Sequence, residues 1–154
     1  MKNIFISHSG KDEHKLAALK QLIASPNSKI RDFTPKNTSP NRAHNEDYIK
    51  YKILKPRIEW SSVMIVLLTK NTAQSEFVTF EIEQAERLGK KIIGVFEKGY
   101  EGCEIPHALD SFGKTLAWDR EIILYAINDD NFQTLSQDHH GNPKSARVVS
   151  TYNC

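Results

Sequence analysis

Cysteine is scarce in this chain. Cys103 and Cys154 are its only two in 154 residues, far apart and in no Cys-x-x-Cys pair, a pattern that suggests neither a disulfide framework nor a zinc site. An excess of one charge is also lacking: 21 basic residues stand against 19 acidic ones, so there is no electrostatic reason to expect a nucleic-acid partner. No apolar run approaches the length that crosses a bilayer. Met1-Lys2-Asn3-Ile4-Phe5-Ile6-Ser7 enters a strand-like pattern without the apolar core and small-residue cleavage site of a signal peptide. These absences predict a cytoplasmic protein with no membrane partner. Two catalytic signatures are missing as well. No Gly-x-Gly-x-x-Gly follows the first apolar run, so a conventional dinucleotide-binding Rossmann turn is not expected, and no Gly-x-Ser-x-Gly elbow supports Ser-His-Asp catalysis. His139-His140 has no second ligand cluster at a metal-binding spacing, and no metal site is predicted.

What is present reads as one α/β domain. Short apolar runs alternate with longer periodic segments, as strands alternate with helices around a parallel sheet. Ile4–Ile6 is the first strand, the turn-rich His8–Asp12 follows, and Glu13–Ile23 is a helix that Ser25-Pro26-Asn27-Ser28 stops. Lys29–Phe33 is a short second strand. The stretch 34–45, rich in Pro and Asn, reads as a long polar loop, with Asn45 as a cap for the next helix. In that helix Ile49, Ile53 and Trp60 share a face and Pro56 interrupts the winding. Val63–Leu68 is apolar without alternation, as a central strand covered on both faces should be. Ser75 is placed to cap the next helix, and Gly89-Lys90-Lys91 to end it. Ile92–Phe96 is a fourth strand, Glu97–Ser111 an irregular connection, Thr115–Trp118 a fifth strand and Glu121–Ile127 a last helix. The boundaries predict a domain over 1–128 and a polar extension over 129–154, in which Arg147–Ser150 offers an edge strand.

The octapeptide Ser75–Ile82 sets Glu81 two turns into a helix that begins at the C-terminal edge of the buried strand, where open α/β sheets bind ligands. Periodicity alone favours a solvated role: Val78, Ile82 and Ala85 make the buried stripe, and Glu81 is one of four acids on this helix. Phe77, one turn earlier, is either a pocket wall or simply core.

Ile58-Glu59-Trp60-Ser61, Ile65-Val66, Thr69-Lys70-Asn71, Ala73, Ser75, Phe77-Val78 and Glu81-Ile82 together resemble the central signature of TIR domains. There, Ile-Glu-x-Ser leads into a buried strand, then Ser-Lys-Asn, then Ser-x-Trp-Cys-x-x-Glu-Leu. Here Thr69 replaces the Ser, Phe77 the Trp, Val78 the Cys and Ile82 the Leu. Phe5-Ile6-Ser7-His8-Ser9 is similar to the family's opening Phe-Ile-Ser-Tyr-Ser, and Lys11-Asp12 to its polar residues at the start of the first helix. The resemblance covers roughly residues 3 to 127. Its compact size and the Arg31-Asp32-Phe33 region look most like the TIR-like proteins of Thoeris-type anti-phage defence. It implies a flavodoxin-like three-layer sandwich with a five-stranded parallel sheet.

The resemblance also implies an activity. Catalytic TIR domains cleave the bond between nicotinamide and ribose in NAD+, through a transition state like an oxocarbenium ion that a fixed carboxylate stabilises. Glu81 is then that carboxylate, and NAD+ is a substrate, with no resident cofactor. Phe5, Ser7, His8 and Ser9 lie at the topological switch point; Ser7 and Ser9 are suited to hydrogen-bond ribose or phosphate, whereas a loop histidine such as His8 is more often just exposed. Asp32 and Phe33 stand at the mouth of the same cleft, as part of the nicotinamide site or as an ordinary strand end, with Phe77 beside Glu81. Arg31, Lys36 and Arg42 are candidates for the pyrophosphate, or solvated bases. The implied protein is an NAD+ nucleosidase and ADP-ribosyl cyclase, self-associating and signalling to a separate effector through a diffusible product. Two other readings stand beside it: a non-catalytic TIR-type interaction module, and a nucleoside-processing glycosylase.

Overall fold

Every residue of Val63–Leu68 is buried, which requires cover on both faces. The computed structural model, which describes residues 2–32 and 49–129, places this strand at the centre of a five-stranded sheet. In chain order the elements are β1 (Lys2–Ser7), a 3-10 turn (Gly10–Lys15), α1 (Leu16–Ile23), β2 (Ser28–Asp32), a π-wound turn (Ile49–Leu54), α2 (Lys55–Trp60), β3 (Val63–Leu68), α3 (Glu76–Arg87), β4 (Lys91–Phe96), α4 (His107–Phe112), β5 (Lys114–Leu116) and α5 (Arg120–Asn128). The strand order is β2-β1-β3-β4-β5, and every pairing is parallel. This is the flavodoxin-like three-layer arrangement, whose switch point lies between β1 and β3.

The side-chain alternation of the strands divides the core in two. Phe5, Met64, Val66, Leu68, Ile92 and Phe96 face one side, where Leu54, Ile58, Val78, Ile82, Ala85 and Leu109 pack on them. Ile4, Ile6, Val63, Ile65, Leu67, Ile93 and Val95 face the other, against Leu16, Leu19, Ile23, Ile123, Ala126 and Ile127. Burying a side chain of this size contributes about 1.5–3 kcal/mol. Ser7 has the same parity as Phe5 and therefore faces α3.

Several local expectations match. Ser75 caps α3 by accepting from the Val78 N–H at 3.3 Å, and the helix closes on Gly89 at φ +70°, a conformation that suits glycine. Winding changes from π to α next to Pro56, whose missing N–H breaks the helical ladder. Leu54 and Ile58 of this segment are fully buried, and Ile53 packs half-buried on the same cluster. One expectation needs correction. The connection after β4 is not irregular throughout: α4 forms directly after Pro106, which supplies its N-cap. Gly94 on β4 lets α4 approach, because a Cβ there would sit 2.7 Å from Leu109 Cδ2 and 2.8 Å from Leu68 Cδ1. No helix among the described residues is long and apolar enough to cross a membrane. Phe33, Lys36, Arg42, the 34–45 loop, the Asn45 cap, His139-His140 and the extension with its edge strand lie outside the described residues.

Candidate functional site

Glu81 is inside the protein. Its residue retains 3% of its exposure and Ser7 none, and the Ser7 hydroxyl donates to Glu81 Oε1 at 2.5 Å. The helix geometry accounts for this. Positions 78, 81, 82 and 85 follow the i, i+3, i+4, i+7 spacing of a single face, so the stripe that buries Val78, Ile82 and Ala85 carries Glu81 with it. A solvated Glu81, which periodicity alone favoured, is therefore overturned. The strand alternation brings Ser7 from β1 to meet it.

Burial raises the Glu81 carboxyl from its ordinary 4.5 to about 8; the Ser7 hydroxyl pulls it back, and the nearby Asp32 charge raises it further. At neutral pH this carboxyl is mainly protonated. Asp32, at the end of β2, is partly exposed and held by two donors: Lys20 Nζ donates to Oδ1 at 3.0 Å and Arg57 Nη1 to the Asp32 carbonyl at 2.9 Å, while His8 Nε2 lies 3.9 Å from Oδ2. His8 is buried too, contrary to the exposure expected of a loop histidine. Its Nδ1 lies 2.8 Å from the Ser9 carbonyl, which can only accept, so Nδ1 carries the proton and Nε2 faces Asp32.

The predicted site residues thus separate. Ser7, His8, Asp32 and Glu81 converge on one end of the sheet, and Phe77 is half-buried against the core on the same side. Ser9 is occupied as the cap of the 3-10 turn, accepting from the Lys11 N–H at 3.3 Å. Phe5 is fully buried beneath the site, with no surface to offer a ligand. The Arg31 guanidinium is 4.3 Å from the centre of the Trp60 ring at the end of α2, a cation–π contact that engages the charge suggested for a pyrophosphate.

Sequence reading assigned no role to the residue that ties this site together. Asp12 is completely buried; it accepts from Thr69 Oγ1 at 2.5 Å and from Asn71 Nδ2 at 2.8 Å, with Lys15 Nζ 3.7 Å away. Thr72 continues the network, accepting from the Thr69 N–H at 2.9 Å and donating to the Leu67 carbonyl at 2.8 Å. The segment that follows Ser7 is thereby fastened to the segment that leads into α3. The only sequence signal was that Lys11-Asp12 and Thr69-Lys70-Asn71 belong to one family pattern.

Over 127 residues, 79% of this chain, the sequence is 28% identical to a Cytobacillus dafuensis protein provisionally named cyclic ADP-D-ribose synthase TIR2. The match spans 32% of that protein, so the chain corresponds to about a third of its relative's length. Residues 5–101, which contain Ser7, Asp12, Asp32 and Glu81, match the family described as the Thoeris protein ThsB, TIR-like domain, and the chain belongs to that family.

Proposed function

We propose that the chain is an NAD+-consuming TIR-like enzyme that cleaves the nicotinamide–ribose bond and closes the remaining ADP-ribose into a cyclic signalling molecule, which activates a separate effector in anti-phage defence. The observation that carries this reading is the buried Glu81 carboxyl held by Ser7 at the switch point of the sheet. Family membership and the name of the Cytobacillus dafuensis relative support it.

The chemistry follows from the substrate. The nicotinamide ring of NAD+ carries a positive charge, and cleavage returns the C–N bonding pair to its nitrogen, so nicotinamide leaves neutral without a strong general acid. Positive charge then develops at the ribose C1′. A carboxylate fixed beside the ribose stabilises that charge, most effectively where water is excluded. Glu81 is mainly protonated without substrate, and the cationic nicotinamide shifts it toward the anion, as an adjacent positive charge does. Ring closure is attack on C1′ by a nucleophile of the adenine end. Ser7 orients the carboxyl, while His8 and Asp32 form the neighbouring wall.

The test is incubation of the purified protein with NAD+, read by mass spectrometry for nicotinamide and for cyclic and linear ADP-ribose, beside Glu81→Gln. Loss of a fixed charge-stabilising group costs roughly a hundredfold or more in rate. Nicotinamide release that persists undiminished in Glu81→Gln refutes the assignment. Assembly state is measured in parallel, because the resemblance to TIR domains implies self-association.

A further inference from the structure

A concavity of about 380 Å³ opens near the C-terminal ends of β3 and β4, on the α1 and α5 face of the sheet rather than beside Glu81. Its volume lies within the range of small-molecule sites. Leu67 lies at its floor, His14 and Lys15 come from the turn before α1, Glu97 and Lys98 follow β4, and Trp118 follows β5. Three basic side chains face one carboxylate. Glu97 is already engaged, with its two oxygens 3.0 and 3.1 Å from Lys15 Nζ. Lys98 and His14 are exposed and make no hydrogen bond or ion pair among the described residues. The rim therefore has positive charge to spare. The half-buried Trp118, packed against the core cluster of Leu67, adds a flat aromatic surface.

These two features select the occupant together. A purely apolar ligand would sit beside the Lys98 ammonium without compensating it, and free phosphate would leave the indole unused. A planar base joined to a phosphate satisfies both, through stacking and charge-assisted hydrogen bonds. We propose that this groove is a second small-molecule site, for a nucleotide-class ligand whose base rests on Trp118 and whose phosphate meets Lys98 and His14. The site stands apart from Glu81 and does not depend on the reaction assigned there. Lys15 is shared, since it also approaches Asp12, so Lys98 is the residue to test.

The full chain carrying Trp60→Phe has Trp118 as its single indole, and its fluorescence is titrated with AMP, with adenosine and with inorganic phosphate. The expected result is a saturable change with AMP, weaker responses to adenosine and phosphate, and about tenfold weaker AMP binding in Lys98→Glu, as for one lost charge-assisted contact. Glu81→Gln leaves AMP binding unchanged. No saturable response to AMP, an equal response in Lys98→Glu, or a response lost in Glu81→Gln overturns the proposal. Calorimetric titration of the unsubstituted chain and of Lys98→Glu repeats the comparison without the Trp60 substitution.

Discussion

Glu81→Gln nearly preserves the shape of the side chain and removes its ability to ionise, so comparing the two proteins across pH isolates the cost of burying this carboxyl. In the unfolded chain the group titrates near its ordinary 4.5, and in the folded protein near 8. Between those values the folded state keeps a proton that the unfolded state has released. The sign follows directly: stability from this group is complete below about pH 4.5 and is lost as pH rises, until the folded carboxyl also ionises near pH 8. Within that window the loss runs at about 1.4 kcal/mol per pH unit. Rounding near the upper end leaves a fall of about 2 kcal/mol between pH 6 and pH 8.

Urea unfolding, followed by circular dichroism at several pH values, measures this. Other titrating groups are common to both proteins and cancel in the difference. The wild type is expected to lose about 2 kcal/mol relative to Glu81→Gln from pH 6 to pH 8, and the curves to converge toward acid. Parallel curves, or a wild type that gains on the variant as pH rises, would refute a buried, mainly protonated Glu81.

Under the proposed reaction, kcat/KM for nicotinamide release rises with pH and levels off above about pH 8, where Glu81 is ionised in the free protein; Ser7→Ala, which removes the hydroxyl that lowers this pKa, moves the rise to higher pH, and an unmoved profile contradicts that role. Asp12→Ala leaves the Thr69 hydroxyl and the Asn71 amide without their shared acceptor, and is expected to cost roughly 3 kcal/mol in urea unfolding, as two hydrogen bonds to a buried charge would. Gly89→Ala places a Cβ in a positive-φ position with open space around it; it is expected to lower stability by about 1 kcal/mol through backbone strain while nicotinamide release remains intact.

Much of the fold was legible because local signals agreed with one another. Val63–Leu68 is apolar at each position and buried at each position, and Ser75 and Gly89 mark the limits of α3 through the capping chemistry of a hydroxyl and of a positive φ. The short α4 was hidden by its setting. Six residues after a Gly- and Pro-containing stretch show too little periodicity to distinguish a helix from a loop. The site divides in the same way. The resemblance selected Glu81, yet its burial followed from the full i, i+3, i+4, i+7 count, which an apolar-only stripe leaves incomplete. Asp12 was out of reach: its partners lie 57 and 59 residues away, and nothing local distinguishes a carboxyl that bridges two loops from one that faces water.

Glu81 also separates what the fold requires from what the site requires. The core position it occupies, between Val78 and Ala85 on the inward face of α3, would be filled at lower cost by an uncharged side chain. With a folded value of about 8, the carboxyl withholds roughly 3 kcal/mol of stability at neutral pH, a considerable share of what a domain of this size retains. Ser7 moderates that cost without removing it, since its single hydroxyl donates one hydrogen bond to a group that can accept several. Packing therefore explains why position 81 is buried and leaves unexplained why it is acidic. The proposed reaction would supply a reason, because a positively charged substrate turns an expensive buried acid into a favourable anion, and does so only while it is bound.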